Sequence, residues 1–250
     1  MRSVRLLAIA GFVTLVAAVL AAGHATAADE PKLTQQEIEK IVHDYLLANP
    51  EVVGEALRRL QQRQSASAAM RSKQAIHDHR QALFADQASP VEGNAQGKVT
   101  IVEFFDYRCV HCRRVASTID QLLSSNASVR VVYKNFPVLG EPSVLAARAA
   151  VAAQHQGGWP KLHRAMLTFD GDFTVETLMA LGTSVGLDSA KLKTDMMSPE
   201  TDRALQAHLT LAAALGLDAT PSFVIGDRVI RGALSPEAFQ ALVDEEAAKR

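Results

Sequence analysis

The chain has 250 residues, 48% hydrophobic and 21% charged, which is ample for a buried core and too apolar for a disordered chain. Its 26 basic and 27 acidic residues give a formal net charge of −1, which excludes the basic footprint of a nucleic-acid-binding protein. Only two cysteines occur, so a scaffold held by several disulfides is excluded as well.

Residues 1–27 read as a cleavable secretory signal. Arg2 and Arg5 precede a run from Leu6 to Ala22 that is nearly all apolar, and Ala25-Thr26-Ala27 offers small residues at the cleavage position. The apolar run is short for a membrane span, which needs about 20 residues. Cleavage after Ala27 removes two arginines and leaves 24 basic against 27 acidic residues, net −3. The expected location is the periplasm, an oxidising compartment in which disulfides persist.

Residues 28–88 read as a helical stalk. Thr34 and Glu37 form a capping box, and Ile38, Ile41, Val42, Tyr45 and Leu46 fall on one face of the helix that follows. Asn49-Pro50 interrupts, and Pro50 suits the first turn of a second helix with a stripe of Val52, Val53, Ala56, Leu57 and Leu60. From Arg58 to Leu83 the pattern is polar and thin in large apolar residues. Such a helix buries its stripe against a second copy or lies on the chain's own domain; self-association is the expectation, a homotrimer through residues 28–88. His77 and His79 in this stretch form an isolated pair in a polar segment and read as solvated.

From residue 89 onward the pattern is α/β. Val99–Phe105 reads as a buried strand, Cys112–Ser124 as a helix and Val129–Phe136 as a second strand, with at most one short strand in the loop before them. A helical block runs from about 143 to 215. Pro221–Ile225 and Val229–Arg231 then read as a hairpin around Gly226-Asp227. Ser235 and Pro236 open a closing helix to Ala248. This order, βαβ, helical insertion, ββα, predicts an α/β thioredoxin fold with an inserted helical domain, preceded by an N-terminal helical stalk.

The chemistry sits at one junction. Cys109-Val110-His111-Cys112 lies between a strand and a helix, where two thiols three positions apart can close to a Cys109–Cys112 disulfide and reopen. A bridge closing so small a loop does little for stability, and zinc would want four ligands, which no second CxxC or HxxxH supplies. At a helix start the N–H groups and dipole favour a thiolate on Cys109, the attacking group, while Cys112, one turn in, resolves the mixed disulfide. Val110 and His111 form the tuning pair, because a histidine there can donate to, or charge, the surroundings of the Cys109 sulfur. Glu103, in an apolar strand six residues before Cys109, is expected to have a raised pKa and to take the proton of Cys112; a strand-end ion pair is the alternative.

Glu103-Phe104-Phe105-Asp106-Tyr107-x-Cys109-x-x-Cys112, the helical insertion and Ala219-Thr220-Pro221-Ser222-Phe223-Val224-Ile225-Gly226 together resemble the DsbA-like family of periplasmic thiol oxidoreductases over residues 90–250. With the stalk, the layout is most similar to the suppressor-of-copper-sensitivity protein C group and related stalked disulfide isomerases. The resemblance implies that Thr220-Pro221 is the cis-proline loop, which packs on the CxxC and leaves the preceding backbone free to pair with substrate. The family's best-known oxidase has Pro-His between its cysteines; here valine replaces the proline. The resemblance implies a protein disulfide isomerase acting on unfolded or wrongly bridged proteins, with a membrane thiol reductase as electron donor. No cofactor is expected. A dithiol oxidase is the alternative, and a copper(I)-binding protein using Cys109 and Cys112 is a third reading, since soft thiolates suit that ion.

Overall fold

The structure, a computed structural model, describes residues 33–249; the predicted leader lies outside them. The chain divides into two compact units, the first ending at Leu60 and the second beginning at Gln61.

In the first unit, helix α1 (Gln35–Ala48) opens on the expected capping box: Thr34 Oγ1 accepts from the Glu37 N–H, and the Glu37 carboxylate accepts from the Thr34 N–H. Two donors that a helix start leaves unpaired are thereby satisfied. The Asn49 backbone N–H and side-chain amide both donate to the Tyr45 carbonyl and close α1. Pro50 then opens α2 (Pro50–Asp78), where its missing N–H costs nothing. No residue of α1 is buried, and Ile38, Ile41, Val42, Tyr45, Leu57 and Leu60 are all exposed.

The second half of α2 has a different fate. Ser72 and Ile76 are buried, the Ser72 hydroxyl donates to the Leu215 carbonyl at 3.2 Å, and Lys73 pairs with Asp227 at 2.5 Å. Leu83 in the short α3 (Arg80–Phe84) is fully buried. The boundary that composition placed at residue 88 therefore falls at Leu60. A few well-placed apolar side chains, Ile76 and Leu83, are enough to make residues 61–88 part of the larger unit's core.

That unit is built on a five-stranded sheet of order β1-β3-β2-β4-β5: β1 (Val91–Gly93), β2 (Val99–Phe105), β3 (Val129–Asn135), β4 (Ser222–Ile225) and β5 (Arg228–Arg231). β2 and β3 are parallel, with α4 (Val110–Ser125) as their crossover, and the other pairings are antiparallel. Between β3 and β4 run the inserted helices α5 (Glu141–Gln154), α6 (Trp159–Thr168), α7 (Val175–Ser184), α8 (Ser189–Met196) and α9 (Pro199–Ala214). α10 (Pro236–Ala247) closes the chain with Ser235 as its N-cap. This is the expected α/β thioredoxin fold with a helical insertion.

The two faces of the sheet bury separate clusters. Ile101 and Phe105 of β2 pack toward α4, α10 and the inserted helices, whereas Val102 and Phe104 pack toward Ile76, Leu83, Leu211 and Leu215. By strand alternation Glu103 shares the face of Ile101 and Phe105, the face that Cys112 covers. Both faces being covered explains why β2 reads as a continuous apolar run.

Candidate active site

β2 ends at Phe105 and α4 begins at Val110, two residues earlier than the sequence pattern indicates, so both thiols lie in the helix's opening turn. Cys109 is the N-cap. Its Sγ accepts from the Cys112 backbone N–H at 3.4 Å, and its own N–H donates to the Asp106 carbonyl at 3.0 Å. An N-cap usually offers a side-chain oxygen; here a sulfur does that work, which fixes the nucleophile in the field of the helix N-terminus.

The pair is electrostatically split. The Cys109 thiol is pulled down to about 5, first by the hydrogen bond from the Cys112 thiol, then by the Thr220 side chain and the N–H groups of Cys112 and His111, against the opposing effect of burial. Cys112 is pushed far above the ordinary thiol range by donating that same bond, by burial and by the Glu103 charge. Both cysteines are free and buried, Cys112 the more deeply. His111 reaches the sulfur through its backbone N–H, while its exposed ring is not among the causes that lower the thiol. The main chain of His111 therefore contributes to the lowering of the thiol. Val110 is 55% exposed beside the pair.

The Thr220-Pro221 peptide bond is cis. The protonated Cys109 Sγ donates to the Thr220 carbonyl at 3.3 Å, so this loop and the CxxC meet directly. A thiolate has no proton to give, so that carbonyl is released whenever Cys109 ionises.

Glu103 is 4% exposed in the middle of β2, between Tyr133 of β3 and Phe223 of β4, which does not fit the alternative of a strand-end ion pair. Burial first, then the charges of Cys109 and Glu92, push its carboxyl up to about 8. Glu103 and Cys112 line one cavity of about 20 Å³, together with Tyr133 and His163, a volume that holds about one water molecule. The cavity is also lined by Glu92, Asp120 and Arg164, and Arg164 pairs with Glu92 at 2.8 Å and Asp120 at 3.4 Å. Burial pushes His163 down to about 3 and keeps it neutral; its Nδ1 lies 2.9 Å from the Tyr107 hydroxyl, and Trp159 stacks on its ring.

Asp106 and His163 have no role in the sequence reading. Asp106 lies three residues before Cys109, and that proximity was the available signal; His163 had none, because α6 reaches the site only through the tertiary fold. Among the described residues no group of three or more His, Cys, Asp or Glu gathers as a metal site, and no helix is long and apolar enough to cross a membrane.

Comparison with known proteins places this geometry. Residues 85–245 match the family model described as Thioredoxin, and residues 35–67 match the Copper resistance protein ScsC N-terminal domain. The crystal structure of a thioredoxin-like oxidoreductase from Silicibacter pomeroyi is 40% identical, covers 68% of this chain and 98% of its own, and superposes with a TM-score of 0.66. Proteus mirabilis ScsC in a transitional conformation is 27% identical, covers 87% of this chain and 98% of its own, with a TM-score of 0.66. Among curated proteins, the Na(+)/H(+) antiporter NhaA of Herminiimonas arsenicoxydans is 29% identical over 64% of this chain, but the chain spans only 25% of that protein. The thiol:disulfide interchange protein DsbA of Bordetella parapertussis is 25% identical over 56% of this chain and 68% of its own length.

Proposed function

Because the chain belongs to the thioredoxin-like, DsbA- and ScsC-type family of thiol–disulfide oxidoreductases, we propose that it is a periplasmic protein disulfide isomerase that works as an oligomer. One observation carries the exchange chemistry: the two thiols are held at opposite extremes, Cys109 pulled down to about 5 and Cys112 pushed far up.

At neutral pH Cys109 is a thiolate. It attacks one sulfur of a substrate disulfide; a Cys109–substrate bond forms, and the other substrate sulfur leaves as a thiolate. In isomerisation that thiolate, or another in the substrate, finally attacks the mixed disulfide and returns Cys109 with no net transfer of electrons. When the exchange stalls, the Cys109 charge that helps keep Glu103 protonated is gone, because that sulfur is bonded to substrate; the ionised fraction of Glu103 then takes the Cys112 proton through the one water the cavity has room for, Cys112 attacks the Cys109 sulfur, and substrate leaves as a thiolate that takes a proton from solvent. The substrate gains two electrons, the Cys109–Cys112 disulfide forms, and a membrane thiol reductase restores the dithiol. Cys112 is held protonated until a disulfide sulfur is adjacent, which lengthens the life of the mixed disulfide that reshuffling needs.

The isomerase assignment rests on the first unit. A stripe of large apolar residues along α1 and the start of α2 stays exposed, and a second and third copy supply the surface that would cover it. Several active sites held together retain one misfolded substrate through successive exchanges by raising their effective concentration. The test is reactivation of a scrambled-disulfide protein by the full mature chain and by a chain that begins at Gln61. The shortened chain is expected to be monomeric and to keep exchange with a small disulfide while losing reactivation. Undiminished reactivation by the monomer would reject the isomerase reading.

A further inference from the structure

The cavity that Glu103 and Cys112 share reaches from the core to the surface. Phe105 and Ile119 on its wall are buried, whereas Arg164 and Asp120 are more than half exposed. Glu92, from β1, stands between these extremes, with its side chain 13% exposed. One of its carboxylate oxygens accepts the Tyr133 hydroxyl at 3.0 Å, and the other pairs with Arg164 at 2.8 Å. Tyr133 is the β3 neighbour of Glu103. Two carboxyl groups, on β1 and β2, therefore line one cavity, with the tyrosine on the strand between them.

Most groups around Glu103 carry no charge. Burial pushes the Tyr107 and Tyr133 phenols up, so both keep their protons. His163 is neutral, Cys112 is a thiol, and β4 presents Phe223. The charges that remain are the Cys109 thiolate, Glu92, Asp120 and Arg164. Among the described residues that line the cavity, Arg164 is the one cation. Cys109 and Glu92 both oppose ionisation of Glu103, and a carboxyl facing those anions alone would hold its proton and be no base.

We propose that Glu92 and Arg164 are a positioning pair for Glu103: the arginine, supplied by the helical insertion, offsets the Glu92 charge across the shared cavity, so that Glu103 can take the Cys112 proton near neutral pH. The inference deepens the disulfide-exchange reading and rests on it. The two opposing anions act at different times. The Cys109 charge disappears while that sulfur is bonded to substrate, but the Glu92 charge persists through the cycle. A cation that is always protonated matches it, and a guanidinium is one. Asp120 holds that guanidinium from the solvent side at 3.4 Å. Helix α6 thus contributes to the proton step as well as to the core.

The test follows Glu103 in the full mature protein. In the dithiol form its carboxylic-acid infrared band, identified by its loss in Glu103→Gln, is expected to titrate with a midpoint near 8. Arg164→Gln leaves Glu92 uncompensated and should raise that midpoint by about one pH unit; Glu92→Gln leaves the cation alone and should lower it by about as much. The double variant, and Arg164→Lys, which keeps the charge, should restore the wild-type midpoint. The resolving step is read by stopped flow with a chromogenic aromatic disulfide. Attack by Cys109 releases one aromatic thiolate, and attack by Cys112 on the mixed disulfide releases the second at a rate independent of reagent concentration. On the acidic limb of its pH profile this second phase should be about tenfold slower in Arg164→Gln, one decade per pH unit of midpoint. Arg164 is half exposed on α6, so the fold does not depend on it, and Cys109 should keep its alkylation midpoint near pH 5. A pair that only ties β1 to α6 would lower urea stability in every variant and leave the infrared midpoint in place. The inference is overturned if neither single variant moves that midpoint, if both move it the same way, or if Arg164→Lys behaves as Arg164→Gln. A second phase that Glu103→Gln leaves unchanged would instead overturn the proton role of Glu103 in exchange, while the infrared midpoints would still decide the role of the pair.

Discussion

Helices α1 and α5 have the same length, 14 residues, and opposite fates. α1 carries Ile38, Ile41, Val42 and Tyr45 and buries none of its residues; α5 carries six alanines and buries eight of its residues. Size of side chain is not what decides burial. The small residues of α5 let neighbouring helices approach closely, and α5 sits among the other inserted helices with Ala146, Ala149, Ala150, Ala152 and Ala153 in the main core. The large residues of α1 have nothing over them within the described chain. An apolar helix left bare marks a surface reserved for another molecule, whereas a weakly apolar one fully covered marks structure finished within the chain.

That contrast breaks most visibly where the long helix α2 changes sides. Leu83→Ala or Ile76→Ala should destabilise the larger unit by about 2–5 kcal/mol in urea unfolding, because both are buried against Val102, Phe104 and Leu215. A chain beginning at residue 89 loses both and should fail to fold, while one beginning at Gln61 should not. Glu103→Gln should raise stability at pH 8 and not at pH 4. The folded carboxyl holds its proton up to about 8 whereas the unfolded one releases it near 4.5, so between these values the unfolded state binds fewer protons and stability falls as pH rises, at most about 1.4 kcal/mol per pH unit. Equal denaturation midpoints for variant and wild type at pH 8 would show that Glu103 is not a buried acid. Ala150→Leu should cost about 1–3 kcal/mol through overpacking.

Legibility in the sequence followed the range of the interactions involved. The capping box at Thr34 and Glu37, the Ser235 cap and the β2 run are local, and each is in place. The CxxC at a strand-to-helix junction is local as well, and it stood out because there was no competing cysteine. Lys134 was not legible: it sits in an apolar strand, yet is 1% exposed because Asp86 and Ser89, more than forty residues earlier, receive its ammonium at 2.6 and 2.7 Å. Asp106 was visible in the motif but silent, since its partners lie on a loop thirty residues on. His111 was legible as a position, and its backbone N–H, which also bears on the Cys109 sulfur, was not.

The smallest effect on the fold is expected from two of the large, exposed apolar residues of α1 and α2. Ile41→Lys and Leu57→Lys replace side chains that are 55% and 60% exposed, so the unfolding free energy of the larger unit in urea should move by no more than about 0.5 kcal/mol. Cys109 should keep its thiolate, with alkylation half-maximal near pH 5, the value at which the thiol is held. What should change is mass by light scattering, from oligomer to monomer, since a lysine in an apolar seam must either desolvate or push the copies apart. A single unchanged mass across both variants would mean that the exposed stripe serves a partner other than a second copy, while the chemistry at Cys109 would stand untouched. The two halves of the contrast therefore fail independently, one through mass and the other through the unfolding midpoint.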